Sequence, residues 1–303
     1  MFVITKDVSF RTLIRILSLS KYRKVECDYK KCYRTAVRCV SSSDNFMIKH
    51  ISILGSGNVA YHIARKLRAE DFVIDCVFSR NHDTGQSLAD EVNAVFTDDL
   101  FQISSKSDAY LFMMSDEANA SIAAQISLPD EKICIHTSGS LPKEIFRQKN
   151  AAVMYPFQTF SRDVKIGNFS EIPVCIETSN ADTFHEVRCL AEKISPLIYE
   201  LSFEQRKVLH VAGVFAANFM NHSVCLGQKL LQENNIPINI LTPLLKQSFA
   251  KILAGGAYSS QTGPAVRGDR KIIDSHIDML ASDENLADVY KIMSESILKT
   301  YNK

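Results

Sequence analysis

A glycine turn between a strand and a helix constrains this chain more than any other feature. Residues 48–54 form an apolar run of strand length, Gly55-Ser56-Gly57-Asn58-Val59-Ala60 follows at once, and residues 59–70 then carry helical periodicity. In that context the pattern is the fingerprint of a dinucleotide-binding turn. Gly55 permits the tight bend, Gly57 leaves the backbone bare where a Cβ would otherwise stand, and Ala60 lets the helix pack closely on its strand. The unpaired N–H groups and positive dipole end of the helix would receive a pyrophosphate. Gly55, Ser56, Gly57, Asn58 and Val59 are therefore the expected cofactor loop.

Downstream, short apolar runs at 72–78, 94–96, 109–114, 132–136 and 151–155 alternate with helix-period stretches, 84–92 among them. This is the pattern of strands joined by crossover helices in a parallel sheet. Residues 173–177, 181–193 and 197–201 repeat strand, helix and strand. After Phe203 the strands stop, and helices are expected at 204–233, 238–254, 264–281 and 285–301. The fold class predicted is α/β, an N-terminal Rossmann-like parallel sheet followed by an all-helical C-terminal domain. Its parts would be a dinucleotide-binding domain at 47–170 and a C-terminal domain at 171–303. The latter divides into a strand–helix–strand extension, 171–202, and a helical substrate and dimerisation part, 203–303.

The type of dinucleotide should be decided at the tip of the second strand, where a carboxylate would bind a ribose 2′-hydroxyl. Here the strand ends in Phe78-Ser79-Arg80-Asn81, and Asp75 lies mid-strand, away from the tip. Arg80 can pair with a 2′-phosphate and Ser79 can donate beside it. NADP(H) is thus favoured over NAD(H).

In an open parallel sheet the ligand lies beyond the carboxyl ends of the strands. Three segments sit there: Met113-Met114-Ser115-Asp116, with Met114 and Ser115 at the cofactor; His136-Thr137-Ser138-Gly139-Ser140; and Tyr155-Pro156-Phe157-Gln158. His136 and Ser138 are candidates to exchange a proton with a carbonyl or imine during hydride chemistry, although Ser-Gly-Ser is equally a turn and helix cap. Tyr155 and Gln158 are candidate substrate contacts. On an ideal helix Asn221 lies about 20° and Lys207 about 60° from His210, with Asn218 at the margin of the stripe. His210 and Asn218 are taken as catalytic and Asn221 as substrate-binding, the alternative being backbone partners on a neighbouring helix. Thr262 and Arg267, beside Pro264 at an expected helix start, would suit a carboxylate or phosphate. The alternative for Arg267 is an ion pair with Asp269.

Composition limits the function classes. Residues 1–46 hold ten Lys/Arg against four Asp/Glu, leaving twenty-five against thirty in residues 47–303, so the body offers no basic surface for nucleic acid. No charged side chain occurs from Val208 to Gln228, yet His210, Asn218, Asn221, His222 and Gln228 argue against a membrane span. Burial on several sides, within a helical domain or across a homodimer interface, is expected instead. Eight cysteines without a CxxC pair suit a reduced, cytoplasmic protein; Cys76, Cys134, Cys175, Cys189 and Cys225 read as small core residues, and no metal is expected. Met47 stands where an initiator would, so residues 1–46 are expected to be an extension outside the chemistry. A basic transit peptide is the alternative for that leader.

With these residues in view, the sequence resembles the Rossmann-like proteins that carry a C-terminal domain of unknown function 2520, described as NADP-dependent oxidoreductases. The resemblance spans nearly all of 48–303. It rests on the 55–60 loop, Ser79-Arg80, His136-Thr137-Ser138-Gly139-Ser140, residues 210–218 and residues 262–269. The function expected is an NADP(H)-dependent oxidoreductase with a small, anionic substrate held between sheet and long helix. An NADPH-binding sensor without turnover would share the same loop. The layout is more distantly similar to pyrroline-5-carboxylate reductase, to deazaflavin-dependent NADP reductases and to the 6-phosphogluconate and 3-hydroxyisobutyrate dehydrogenases. The last of these place a lysine four residues before an asparagine on the long helix, whereas this chain has Ala217 before Asn221 and Val214 before Asn218.

Overall fold

Alternation along the strands builds the core. In the computed structural model, which describes residues 47–301, strand β1 (His50–Leu54) turns Ile51 and Ile53 to one face and Leu54 to the other. The same two-residue period sends Leu111 of β4 (Ala109–Phe112) to the first face and Tyr110 and Phe112 to the second. Strand β5 (Ile133–His136) does likewise with Ile135 and Cys134. Central strands covered on both faces read as continuous apolar runs.

Eight strands form one sheet in the order β3-β2-β1-β4-β5-β6-β7-β8. The others are β2 (Val73–Phe78), β3 (Val95–Thr97), β6 (Asn150–Pro156), β7 (Val174–Thr178) and β8 (Ile198–Glu200). All neighbours pair in parallel except β6 and β7, which are antiparallel. Helices α1 (Asn58–Ala69), α2 (His82–Val92) and α4 (Ala181–Ile194) cover one face, and α3 (Asp116–Gln125) covers the other. The chain leaves β1 toward β2 on one side and returns through β4 on the other, so the carboxyl ends of β1 and β4 make the topological switch point.

Several expectations need correction. Helix α3 was not foreseen, because Asp-Glu-Ala-Asn-Ala-Ser-Ile-Ala-Ala-Gln has too few large apolar residues to show a period; Ser115 caps it by accepting from the Ala118 amide. The strand–helix–strand extension at 171–202 is present as β7, α4 and β8, and it joins the same sheet through β6–β7 pairing. The helix expected from 264 begins only at Arg270, as α9 (Arg270–Met279). Gly263 (φ 115°) and Gly268 (φ 67°) hold the preceding residues in turns. Asp269 fills the helix N-terminus with its own carboxylate, accepting from the Ile272 amide.

The long helix is present as α5 (Phe203–Gly213), six π-helical residues (Val214–Phe219) and α6 (Met220–Glu233). Helices α7 (Leu241–Gly255), α8 (Ala257–Ser260), α9 and α10 (Glu284–Tyr301) follow. The expected burial of the long helix on several sides within this chain is not found. Val208, Val211, Phe215 and Phe219 are more than half exposed, since the later helices do not wrap around it. Cys225, on α6, is exposed rather than a core residue. Among the described residues no helix is long and apolar enough to cross a membrane. Residues 1–46, and the expectations attached to them, lie outside the described part.

One buried charge seats the long helix on the sheet. Arg206 of α5 is 1% exposed, donates from Nη1 to the carbonyls of Ser138 (2.9 Å) and Leu141 (2.7 Å), and pairs through Nη2 with Glu177 of β7 at 2.8 Å. Removing one partner of such a pair strands the other charge. Glu177→Ala should therefore cost about 3 kcal/mol in urea unfolding, whereas Arg206→Met combined with Glu177→Leu should cost less than that single change. A single-variant loss below about 1 kcal/mol would contradict this account.

Candidate functional site

The turn after β1 is built so that its amides face open space. Gly55 has φ 118°, and a Cβ there would meet the Met113 carbonyl oxygen at 2.4 Å, so the bend requires glycine. A Cβ on Gly57 would meet nothing within 4 Å. Gly57 is the N-cap of α1 and carries no capping side chain, and no acidic residue stands in the first turn. Among the described residues no hydrogen bond is donated by the N–H groups of Gly57, Asn58 or Val59. Unpaired donors at a helix N-terminus favour an anion. The turn is neither plugged nor satisfied from within, so a pyrophosphate group fits it.

Hydroxyls brace this loop against the next one. Ser56 Oγ lies 2.7 Å from both Ser79 Oγ and Thr84 Oγ1. Ser79 Oγ also donates to the Asn81 carbonyl (3.0 Å) and accepts from the Asn81 amide (3.1 Å). The expectation that Ser79 donates to a 2′-phosphate is corrected accordingly: a buried hydroxyl must be satisfied, and this one is spent inside the protein. Arg80 beside it is exposed, and among the described residues it forms no ion pair. Asp75 is committed to His50 (2.8 Å) and Ser107 (2.6 Å).

A groove of about 570 Å³ runs over this region. The predicted residues Gly55, Ser56, Gly57, Asn58, Val59, Ser79, Arg80, Met114, Ser115, Ser138 and Gln158 all line it. A second cavity of about 430 Å³ shares Gln158 and Phe160 with the groove and is lined on one side by the long helix. It brings together Tyr155, Gln158, His210 and Asn218. Tyr155 Oη lies 3.2 Å from His210 Nδ1. Burial, foremost, pushes the Tyr155 phenol up from its ordinary value, so it holds its proton at neutral pH.

Glycines make room for this pair. A Cβ on Gly139 would meet His210 Nδ1 at 2.7 Å and the Tyr155 ring at 2.9 Å, and one on Gly213 would meet the Phe157 ring at 2.7 Å. Neither glycine has a positive φ, so each serves close approach. The π segment matters too. Its steps turn less than α steps, which swings Asn218, about 80° from His210 on an ideal helix, back toward the cavity. The same unwinding moves Asn221 off the stripe. Asn221 lines neither cavity and is exposed, correcting its assignment. Thr262 and Arg267 are likewise exposed, the second of them on a turn, lining neither cavity, and Arg267 forms no ion pair among the described residues. Among the described residues no lysine or arginine stands in the wall of the second cavity, so these residues offer an anionic substrate no counter-charge there.

His136 also departs from expectation. It is fully buried, its Nε2 faces the Pro142 carbonyl (3.2 Å) and its Nδ1 accepts from the Ser138 amide (3.2 Å), so it shapes the turn and presents no proton to the groove. Ser138 sits at the groove wall with its Oγ accepting from the amides of Ser140 (3.0 Å) and Leu141 (3.1 Å). Ser140 donates onward to Asp116, so the Ser138 hydroxyl keeps its own hydrogen for Ser140 or for a ligand. Arg206 and Gly139 were not singled out in the sequence. Arg206 stands beside Glu204, Gln205 and Lys207, so nothing in the local sequence marks it as a buried charge.

The comparisons agree with this geometry. Residues 50–139 match a family model described as NADP oxidoreductase, coenzyme F420-dependent, and residues 172–297 match the domain of unknown function DUF2520. A candidate NADP oxidoreductase from Bacteroides fragilis is 33% identical, with 84% of this chain and 100% of that one covered at a TM-score of 0.79. The chain belongs to this family of NADP oxidoreductase-like proteins. Two more distant structures share its fold: a Thermotoga maritima protein (20% identity, 84% and 100% covered, TM-score 0.70) and the Myxococcus stipitatus imine reductase solved with NADP+ (13%, 84% and 100%, TM-score 0.60). No curated protein sequence matches the chain.

Burial, foremost, and the neighbouring Arg206 charge lower the His136 pKa to about 4. A histidine held neutral in the fold lets the unfolded state bind the extra proton first, so stability is full above the ordinary pKa of 6.5 and falls as pH drops from there toward 4. Between pH 7 and pH 5 this group should remove ~2 kcal/mol. Urea unfolding at the two pH values checks it, and His136→Asn should lose less over the same interval.

Proposed function

We propose that this protein is an NADP(H)-dependent oxidoreductase acting on a small carbonyl or imine, or on the corresponding alcohol or amine. The observation that carries it is the adjacency of two spaces: the amide-lined groove shares Gln158 and Phe160, as a common wall, with a cavity holding a Tyr155–His210 pair. When bound, the nicotinamide supplies or takes the hydride. Gly57, Asn58 and Val59 would hold the pyrophosphate, Met114 and Ser115 would flank the groove, and Arg80 would pair with the 2′-phosphate, favouring NADP(H) over NAD(H). Tyr155 holds a proton at Oη beside His210, which can orient or replenish it, and Ser138 offers a second hydroxyl. Asn218 and Gln158 can orient the reacting polar group. Phe157, Phe160 and Val214 exclude water, and the lack of a wall cation favours an uncharged substrate body over the anionic one first expected.

Titration of the purified protein with NADPH and NADH tests the cofactor assignment. NADPH should bind more tightly, and Arg80→Glu should weaken NADPH by tenfold or more while leaving NADH nearly unchanged; tighter NADH binding, or indifference to that swap, overturns it. Turnover of NADPH with a panel of ketones and imines tests the activity. Tyr155→Phe and His210→Gln should each lose turnover and keep NADPH binding. A wild-type protein that binds NADPH and reduces nothing would be a sensor.

We also propose that the protein works as a homodimer through the long helix. Among residues 203–301 only Arg206, Ala265, Ile273, Leu280, Leu286 and Ser294 are buried. The exposed apolar side chains of α5, the π segment and α6 continue into a groove of about 390 Å³ between α6 and α7. An exposed apolar surface of this extent marks an interface, and a second copy would supply the missing wall of the substrate cavity. Light scattering should read twice the chain mass, falling to one with Phe215→Asp and Phe219→Asp together; a monomeric wild type would overturn it.

A further inference from the structure

The pyrophosphate turn supplies donors and a helix dipole, but its own residues, 55–60, contain no cation. Among the described residues Arg80 is the only lysine or arginine lining the groove, and its place is at the tip of β2. A second guanidinium nevertheless sits on the turn. Arg162, on the segment that follows β6, donates from Nη2 to the Ser56 carbonyl, and its Cζ lies 5.0 Å from the centre of the Tyr61 ring on α1.

The segment carrying Arg162 is held in place by side chains of α1. Asn58 Nδ2 donates to the Phe160 carbonyl at 3.0 Å, and the buried His62 places Nε2 2.8 Å from the Ser161 carbonyl, with its ring 5.8 Å from that of Phe160. Asn58 and His62, in the first two turns of α1, thus fasten this segment beside the groove that Gln158 and Phe160 line. An arginine at its end is half-buried, stacked on an aromatic face and bonded to the loop backbone, and among the described residues it faces no carboxylate. Among the described residues its five N–H donors make one hydrogen bond, so the fork has donors to spare.

We infer that Arg162 is a cofactor-binding residue that turns its remaining donors to the pyrophosphate, so that Arg80 and Arg162 neutralise the two phosphate centres of the dinucleotide separately. The inference rests on the dinucleotide reading given above. Arg–phosphate pairs are charge-assisted and frequently bidentate, and stacking on Tyr61 limits the freedom lost on binding.

The test uses the full chain with two probes, NADPH followed by fluorescence and adenosine 2′-monophosphate followed by phosphorus NMR. Arg162→Gln keeps length and a donor but removes the charge. It should weaken NADPH by tenfold or more, leave adenosine 2′-monophosphate within twofold of wild type and flatten the salt dependence of NADPH affinity; Arg162→Lys should recover part of the loss. Unchanged NADPH affinity in Arg162→Gln overturns the inference. So does an equal loss for both probes, which would make Arg162 a brace for the whole groove. A wild-type protein that binds neither probe overturns the dinucleotide reading itself.

Discussion

The placement of Arg206 governs how the two halves of this protein meet. A guanidinium removed from water is tolerable only with acceptors and a counter-charge around it, and here there are three, the Ser138 and Leu141 carbonyls of one turn and the Glu177 carboxylate on β7. Satisfying all three leaves one seating for α5 against the sheet edge. One turn further on, His210 is delivered beside Gly139 and within hydrogen-bond reach of Tyr155. The second cavity is a consequence of that seating, and the same positive charge helps keep His136 neutral beneath the turn.

Space, as much as contact, defines the site. At Gly55 and Gly139 the absent Cβ is replaced by neighbouring atoms, the Met113 carbonyl in one case and the His210 and Tyr155 rings in the other. At Gly57 it is replaced by nothing, which is what a bound group requires. The hydroxyl chain through Ser56, Ser79 and Thr84 then fixes the first loop to the second, coupling the loop proposed for the pyrophosphate to the one proposed for the 2′-phosphate.

The helical half follows a different logic. Its apolar residues are arranged for burial, yet within one chain the helices touch one another sparingly and leave Phe215, Leu244 and Leu253 in solvent. A sequence that places apolar side chains around the whole of a helix states that neighbours exist. It does not state whether they belong to the same chain. The six π-helical residues add a second departure from ideal geometry, and they exchange Asn221 for Asn218 at the cavity wall.

The sequence by itself determined the parallel sheet, the crossover helices and the cofactor turn, because strand alternation and the glycines at 55 and 57 act through neighbours a few residues away. Helix α3 escaped notice for the same reason: its alanines carry no period. Local sequence also placed Tyr155, His210 and Asn218 near strand ends or on the long helix without saying which would meet. Only the tertiary structure decided that His136 turns inward, that Ser79 is consumed by its neighbours, that Arg267 stays away from the cavity and that Arg162 reaches the Ser56 carbonyl. Those outcomes depend on groups distant in the chain competing for the same donors, acceptors and space, and no local pattern records who wins.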